Sequence, residues 1–121
     1  PYIEYIEVNG KKIQGTNKLP LEYYQNDKHI IVTVKRTTNN LYPVFVKSGA
    51  GIVLKNWHYN KGIIKTQVEG AGLNYLKISS EKLPIVKIHN KKVKVDFNAD
   101  LKLASLELNL RYDEPVSISI K

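Results

Sequence analysis

Apolar and polar residues alternate along most of this chain. Ile30, Val32 and Val34 are interleaved with Ile31, Thr33 and Lys35. Val93, Val95 and Phe97 are interleaved with Lys94 and Asp96, and Leu106, Leu108, Leu110 and Tyr112 with Glu107, Asn109 and Arg111. Val116, Ile118 and Ile120 follow the same rhythm against Ser117, Ser119 and Lys121. A period of two places successive side chains on opposite faces of a strand, so each run predicts a ribbon with one buried and one wet face. Turn residues separate the runs. Asn9-Gly10 is the strongest short hairpin signal, because a type I′ turn needs positive φ at both central positions. Asn26-Asp27, Asn39-Asn40, Asn60-Lys61-Gly62, Asn98-Ala99-Asp100 and two Gly-Ala-Gly segments at 49–51 and 70–72 punctuate the rest. The runs between them predict about ten short strands, placed near 2–9, 11–15, 19–24, 29–36, 42–47, 52–58, 62–69, 73–79, 85–90, 92–97, 101–112 and 115–120, with some pairs merging. Residues 100–111 also carry a helical spacing through Leu101, Ala104 and Leu108. The alternation from Leu106 onward favours a strand there, with a bulge at Ala104-Ser105 absorbing the change of phase.

One pattern occurs twice. Val8-Asn9-Gly10-Lys11-Lys12-Ile13 parallels Ile88-His89-Asn90-Lys91-Lys92-Val93. Downstream of the first come Tyr24, Asp27, Ile30, Val32, Val34 and Lys35; downstream of the second come Tyr112, Asp113, Val116, Ile118, Ile120 and Lys121. The chain is therefore expected to contain a duplicated hairpin-plus-strand unit wrapped around residues 41–79. Two copies are too few for a solenoid.

The expected fold is all-β: a mainly antiparallel two-sheet β-sandwich, Ig-like or jelly-roll-like. At 121 residues the chain has the size of one domain, residues 1–121, and no room for a second. Its N-terminus, Pro1-Tyr2-Ile3, has neither an initiator Met nor a signal-peptide pattern, which reads as a piece cut from a longer chain. No apolar run approaches the roughly eighteen residues a membrane helix needs, so no membrane span is expected. The absence of cysteine removes disulfides, thiolate metal sites and thiol catalysis. Together with the absence of Met and the abundance of Ile and Lys, it fits a thermophilic source.

The net charge of +8 suits an acidic partner. The lysines are dispersed singly or in pairs, and the arginines are two, Arg36 and Arg111. Phosphate readers favour the bidentate guanidinium, so this distribution argues against nucleic acid and reads as solubility and edge protection.

The chain offers little for catalysis. His29, His58 and His89 have no second ligand at a recognised spacing, so no metal is expected. Asp96 with Asp100 and Asp113 with Glu114 are the closest carboxylate groupings; Asp100 reads as a cap or turn residue, and Asp113-Glu114-Pro115 as a tight loop before the last strand. No Ser sits in a nucleophile elbow, and the Gly-Ala-Gly segments lack the spacing of a phosphate cradle. Neither a catalytic residue nor a cofactor is expected; the chain does not read as an enzyme. The most pointed segment is Lys55-Asn56-Trp57-His58-Tyr59-Asn60, which holds the single Trp. Trp57 and Tyr59 could stack on sugar rings while Asn56, His58 and Asn60 hydrogen-bond hydroxyls. The competing reading puts Trp57 in the core, closing one end of a sandwich.

Leu54 to Ile78, with Trp57, Tyr59, Gly62, Val68 and Leu76-Lys77-Ile78, resembles Ig-like or fibronectin-like accessory modules of secreted glycoside hydrolases and cell-surface proteins. Pro84 to Val93 and Pro115 to Ile120 share that resemblance. It lacks the Cys…Trp…Cys framework of antibody domains. It implies a non-catalytic module, extracellular or at the cell surface, that binds a polysaccharide or supports neighbouring protein domains. The alternative expectation is a surface-layer or filament subunit that self-assembles by exchanging its N-terminal strand, residues 2–8.

Overall fold

A computed structural model describes residues 2–26, 29–48 and 51–121. Asp27 of the first repeat and Gly49-Ala50 of the first Gly-Ala-Gly segment lie outside the described residues. Among those described there are twelve strands: β1 (Tyr2–Val8), β2 (Lys11–Ile13), β3 (Val32–Thr37), β4 (Val44–Ser48), β5 (Val53–Asn60), β6 (Ile63–Glu69), β7 (Gly72–Ser80), β8 (Val86–Ile88), β9 (Lys91–Val93), β10 (Asp96–Asn98), β11 (Leu103–Leu110) and β12 (Val116–Ile120). No helix is long and apolar enough to cross a membrane.

The fold is all-β and its strand pairs are antiparallel. Two large sheets, ordered β10-β11-β7-β4 and β5-β6-β12-β8-β9, form the sandwich, and a third sheet, β2-β1-β3, adds to it. The extra sheet departs from the expected two. Alternation decides what each strand buries. In β11, Ala104, Leu106, Leu108 and Leu110 turn inward; in the five-stranded sheet, Leu54, Ile64, Val68, Val86, Ile118 and Ile120 do so. With Ile6, Val8 and Ile13 of the third sheet they make one apolar cluster. At about 25 cal/mol per Å² of apolar surface removed from water, this burial is the principal force holding the sheets together.

The repeat inferred from sequence is a structural repeat with matched register. Asn9 and Gly10 both have positive φ, as do His89 and Asn90, so each hairpin closes through a two-residue I′ turn. Ile6 pairs with Ile13 and Val8 with Lys11; in the second copy Val86 pairs with Val93 and Ile88 with Lys91. A third strand then joins the far side of the first. Val32 and Val34 of β3 face Val8 and Ile6, while Ile118 and Ile120 of β12 face Ile88 and Val86.

Three local expectations are corrected. Residues 19–24 are not a strand: Leu21–Tyr23 form one 3-10 turn. Pro20 has no N–H to give a ladder, and its carbonyl instead accepts from Tyr23 N. Residues 92–97 are not one strand either. Val93 belongs to the five-stranded sheet and Phe97 to the four-stranded one, so the chain crosses between layers at Lys94-Val95. Finally, β11 runs without a bulge, in continuous register with β7 from Leu103 opposite Ser79 to Leu110 opposite Gly72. Irregularities occur instead in β1, between Ile3 and Tyr5, and in β5, between Lys55 and His58.

Candidate functional site

The bulge in β5 sorts the aromatic segment into two faces. Lys55 pairs with Gln67 and His58 with Lys65, so Asn56 and Trp57 together stand opposite Thr66. Asn56 takes φ 54°, a left-handed conformation that Asn tolerates better than most residues. The carboxylate of Glu22, on the 3-10 turn, accepts the N–H groups of Asn56 and Trp57 at 2.7 and 2.6 Å. The Thr66 hydroxyl donates to the Lys55 carbonyl at 2.9 Å. The polar backbone that the extra residue frees from the ladder is thus satisfied.

Past the bulge the phase has moved by one residue. Trp57 points into the core, 8% exposed, and its indole Nε1–H donates to the Gln14 carbonyl at 2.8 Å. Tyr59 is half-buried and meets Tyr42 edge to face at 5.2 Å. Its ring lies so close to Gly15 (φ 86°) that a Cβ there would stand 2.9 Å from Tyr59 Cδ2. Asn56, His58 and Asn60 are exposed, and Asn56 Nδ2 donates to Gln67 Oε1 at 2.6 Å. Of the five residues read from sequence as a site, Trp57 is buried, Tyr59 is half-buried against the core, and the three polar residues are exposed.

The outer face of the five-stranded sheet carries what the sequence left dispersed. Residues opposite one another in an antiparallel pair share a face. His58 lies opposite Lys65, Lys65 opposite Ser119, Ser119 opposite Lys87, and Lys87 opposite Lys92. These five residues form one row crossing all five strands. With strands about 4.8 Å apart, Lys65 and Lys87 stand roughly 10 Å apart at the backbone, with a serine between them. A second row places Lys55 opposite Gln67 and Gln67 opposite Ser117. Lys55 is held by Glu69 at 2.6 Å; Lys65, Lys87 and Lys92 have no ion-pair partner among the described residues. The face is hollowed by about 690 Å³, lined by Lys65, Gln67, Lys87, His89, Ser117 and Ser119 among others, none of them acidic.

A second hollow, of about 230 Å³, lies where the start of β1 meets β4 and is lined by Tyr2, Ile3, Phe45 and Lys47 among others. It has one cation and no row. Among the described residues no three His, Asp or Glu side chains converge as metal ligands would.

Lys65, Lys87, Lys92, Ser117 and Ser119 were missed in the sequence because their proximity is a matter of strand order. Each occupies an outward position in its own alternating run, which is the signal the sequence does carry. No family model matches the chain, and neither a curated protein nor a solved structure is similar to it.

Proposed function

We propose that this chain is a non-catalytic extracellular or cell-surface module that binds an acidic polysaccharide across the outer face of its five-stranded sheet. The supporting observation is the row His58–Lys65–Ser119–Lys87–Lys92. Lysine ammonium groups without a competing carboxylate can pair with carboxylate or sulfate groups. Ser117, Ser119, Gln67 and Asn56 supply hydrogen bonds of the kind sugar hydroxyls exchange. A polymer whose charges recur at about two strand spacings, roughly 10 Å, would meet Lys65 and Lys87 together. Neutral glycans, usually held by stacking on aromatic rings, fit less well, since Trp57 and Tyr59 point inward. Single-stranded nucleic acid also wants a series of stacking rings beside its cations, and arginine forks for its phosphates; this row has one imidazole, that of His58, and no arginine.

The deciding experiment is a glycan panel of uronate-bearing, sulfated and neutral polysaccharides, read with wild type beside the doubly reversed Lys65→Glu, Lys87→Glu protein. Retention of wild type on the acidic members, lost in the double variant at unchanged melting temperature, is the expected result. Equal retention of the two proteins, or wild-type preference for neutral members, would overturn the proposal.

A further inference from the structure

The two copies of the repeat differ in what lies beyond the third strand. In the second copy β12 is paired on both sides, with β8 and with β6, and its inward Ile118 and Ile120 are 3% and 0% exposed. In the first copy β3 pairs with β1, and among the described residues no strand lies on its other side. Its Val32 and Val34 occupy the register positions of Ile118 and Ile120, yet each is 45% exposed, and neighbouring Ile31 is 76% exposed. Asn9 N donates to the Ile31 carbonyl, and Ile31 N donates to Asn9 Oδ1. Alternation then directs the N–H and C=O of Val32 and Val34 outward, to the open edge. Ile30 to Val34 is a run of β-branched residues without Pro or Gly, the kind of edge that natural folds cover or pair.

We propose that β3 is the strand through which two copies of this chain pair, antiparallel and edge to edge about a two-fold axis at Thr33. The sequence is self-complementary in that register. Val32 stands opposite Val34 of the second copy on the core side, supplying the cover that β6 gives to β12. Ile31 stands opposite Lys35, and Ile30 opposite Arg36, so each cation lays its aliphatic stem over an isoleucine and faces no like charge. Thr33 meets its own twin, a favourable cross-strand pair. A two-fold contact of this kind closes as a dimer. It leaves β1 in place between β2 and β3, where donation of the N-terminal strand would break two ladders. This inference is independent of the polysaccharide reading. Its salt response has the opposite sign, because screening relieves the repulsion between two chains of charge +8.

Sedimentation over a wide concentration range, at low and high salt, tests the pairing. The expected result is a weight-average mass that doubles with concentration, at lower concentration in high salt. Val34→Lys, which places a charge on the core side of the open edge, is expected to stay monomeric at all concentrations and to melt as wild type does when diluted to monomer. In a chain without cysteine, Thr33→Cys places two thiols on the axis, in a non-hydrogen-bonded pair whose Cα separation of about 4.5 Å suits a disulfide. Mild oxidation should cross-link it far faster than Leu101→Cys, a control at 70% exposure. A wild type monomeric under all conditions, a Val34→Lys protein that dimerises as wild type does, or equal cross-linking at the two cysteine positions would each overturn the proposal.

Discussion

Trp57 illustrates how one residue's role depends on a neighbour's backbone. Its ring is buried and its indole N–H satisfies a carbonyl 43 residues away in sequence. Trp57→Ala should therefore destabilise the fold by about 3–5 kcal/mol. Trp57→Phe keeps most of the apolar contact but leaves the Gln14 carbonyl without its donor, a loss of about 1–2 kcal/mol. Urea unfolding measures both. Polysaccharide affinity of the folded Phe variant should equal that of wild type, which separates a core ring from a stacking platform. Tyr42 is a second buried anchor. Its hydroxyl donates to the Glu4 carbonyl, and burial, aided by the nearby Tyr59 and Glu4, raises its pKa above the ordinary tyrosine value despite an opposing hydrogen bond with Gln14. The folded state thus holds this proton more tightly than the unfolded chain does. The corresponding stability is complete below the ordinary tyrosine pKa near 10 and is lost as pH rises from there through the folded value. Tyr23, also raised by burial and by Glu22, acts in the same direction. Tyr42→Phe should lower stability at neutral pH by about 1–2 kcal/mol through the lost hydrogen bond. It should also make the alkaline fall in melting temperature shallower than in wild type.

At the scale of elements, alternation made the strands legible and left their irregularities hidden. The pattern of Leu106, Leu108 and Leu110 gave β11, and that of Val116, Ile118 and Ile120 gave β12, because each strand has one dry and one wet face and a single register. The I′ turns were readable in Asn9-Gly10. In His89-Asn90 the positive φ values fall on two non-glycine residues, and there the parallel with the first hairpin carried the inference. The β5 bulge had no such signal. It depends on one left-handed Asn and on a carboxylate 34 residues upstream of it in sequence, and neither is a property of the local pattern. Without the bulge, alternation from Leu54 would turn Asn56 and His58 inward and Trp57 outward, the arrangement a stacking site would need. Glu22→Ala should leave two bulge N–H groups without their acceptor and cost about 2–3 kcal/mol, the range for hydrogen bonds to a charged group. Glu22→Gln keeps one good acceptor oxygen and should lose less. The effect belongs to the bulge if the amide resonances of Asn56 and Trp57 move while those of β11 stay in place.

The whole molecule places on one surface residues that no window of sequence brings together. Lys65 and Lys87 are separated by two loops and a full strand of the opposite sheet, and only the order β6-β12-β8 sets them either side of Ser119. The same net charge that read as dispersed solubility along the chain therefore becomes directional once strand order is known. Charge also gives the two proposed surfaces opposite responses to salt. An acidic polymer bound to the lysine row releases its counterions, so the logarithm of the affinity should fall linearly with the logarithm of salt concentration, and each lysine removed should reduce that slope by roughly one. Pairing through β3 buries valine and isoleucine between like-charged bodies, so it should strengthen with the same salt. Lys65→Ala and Lys87→Ala should flatten the binding slope and leave dimerisation unchanged, because both lie on the outer face of a different sheet from β3. Val34→Lys should abolish dimerisation and leave the slope of the isolated monomer intact. A titration in which both readouts moved together, in either set of variants, would mean that the lysine row and the open edge belong to one interface.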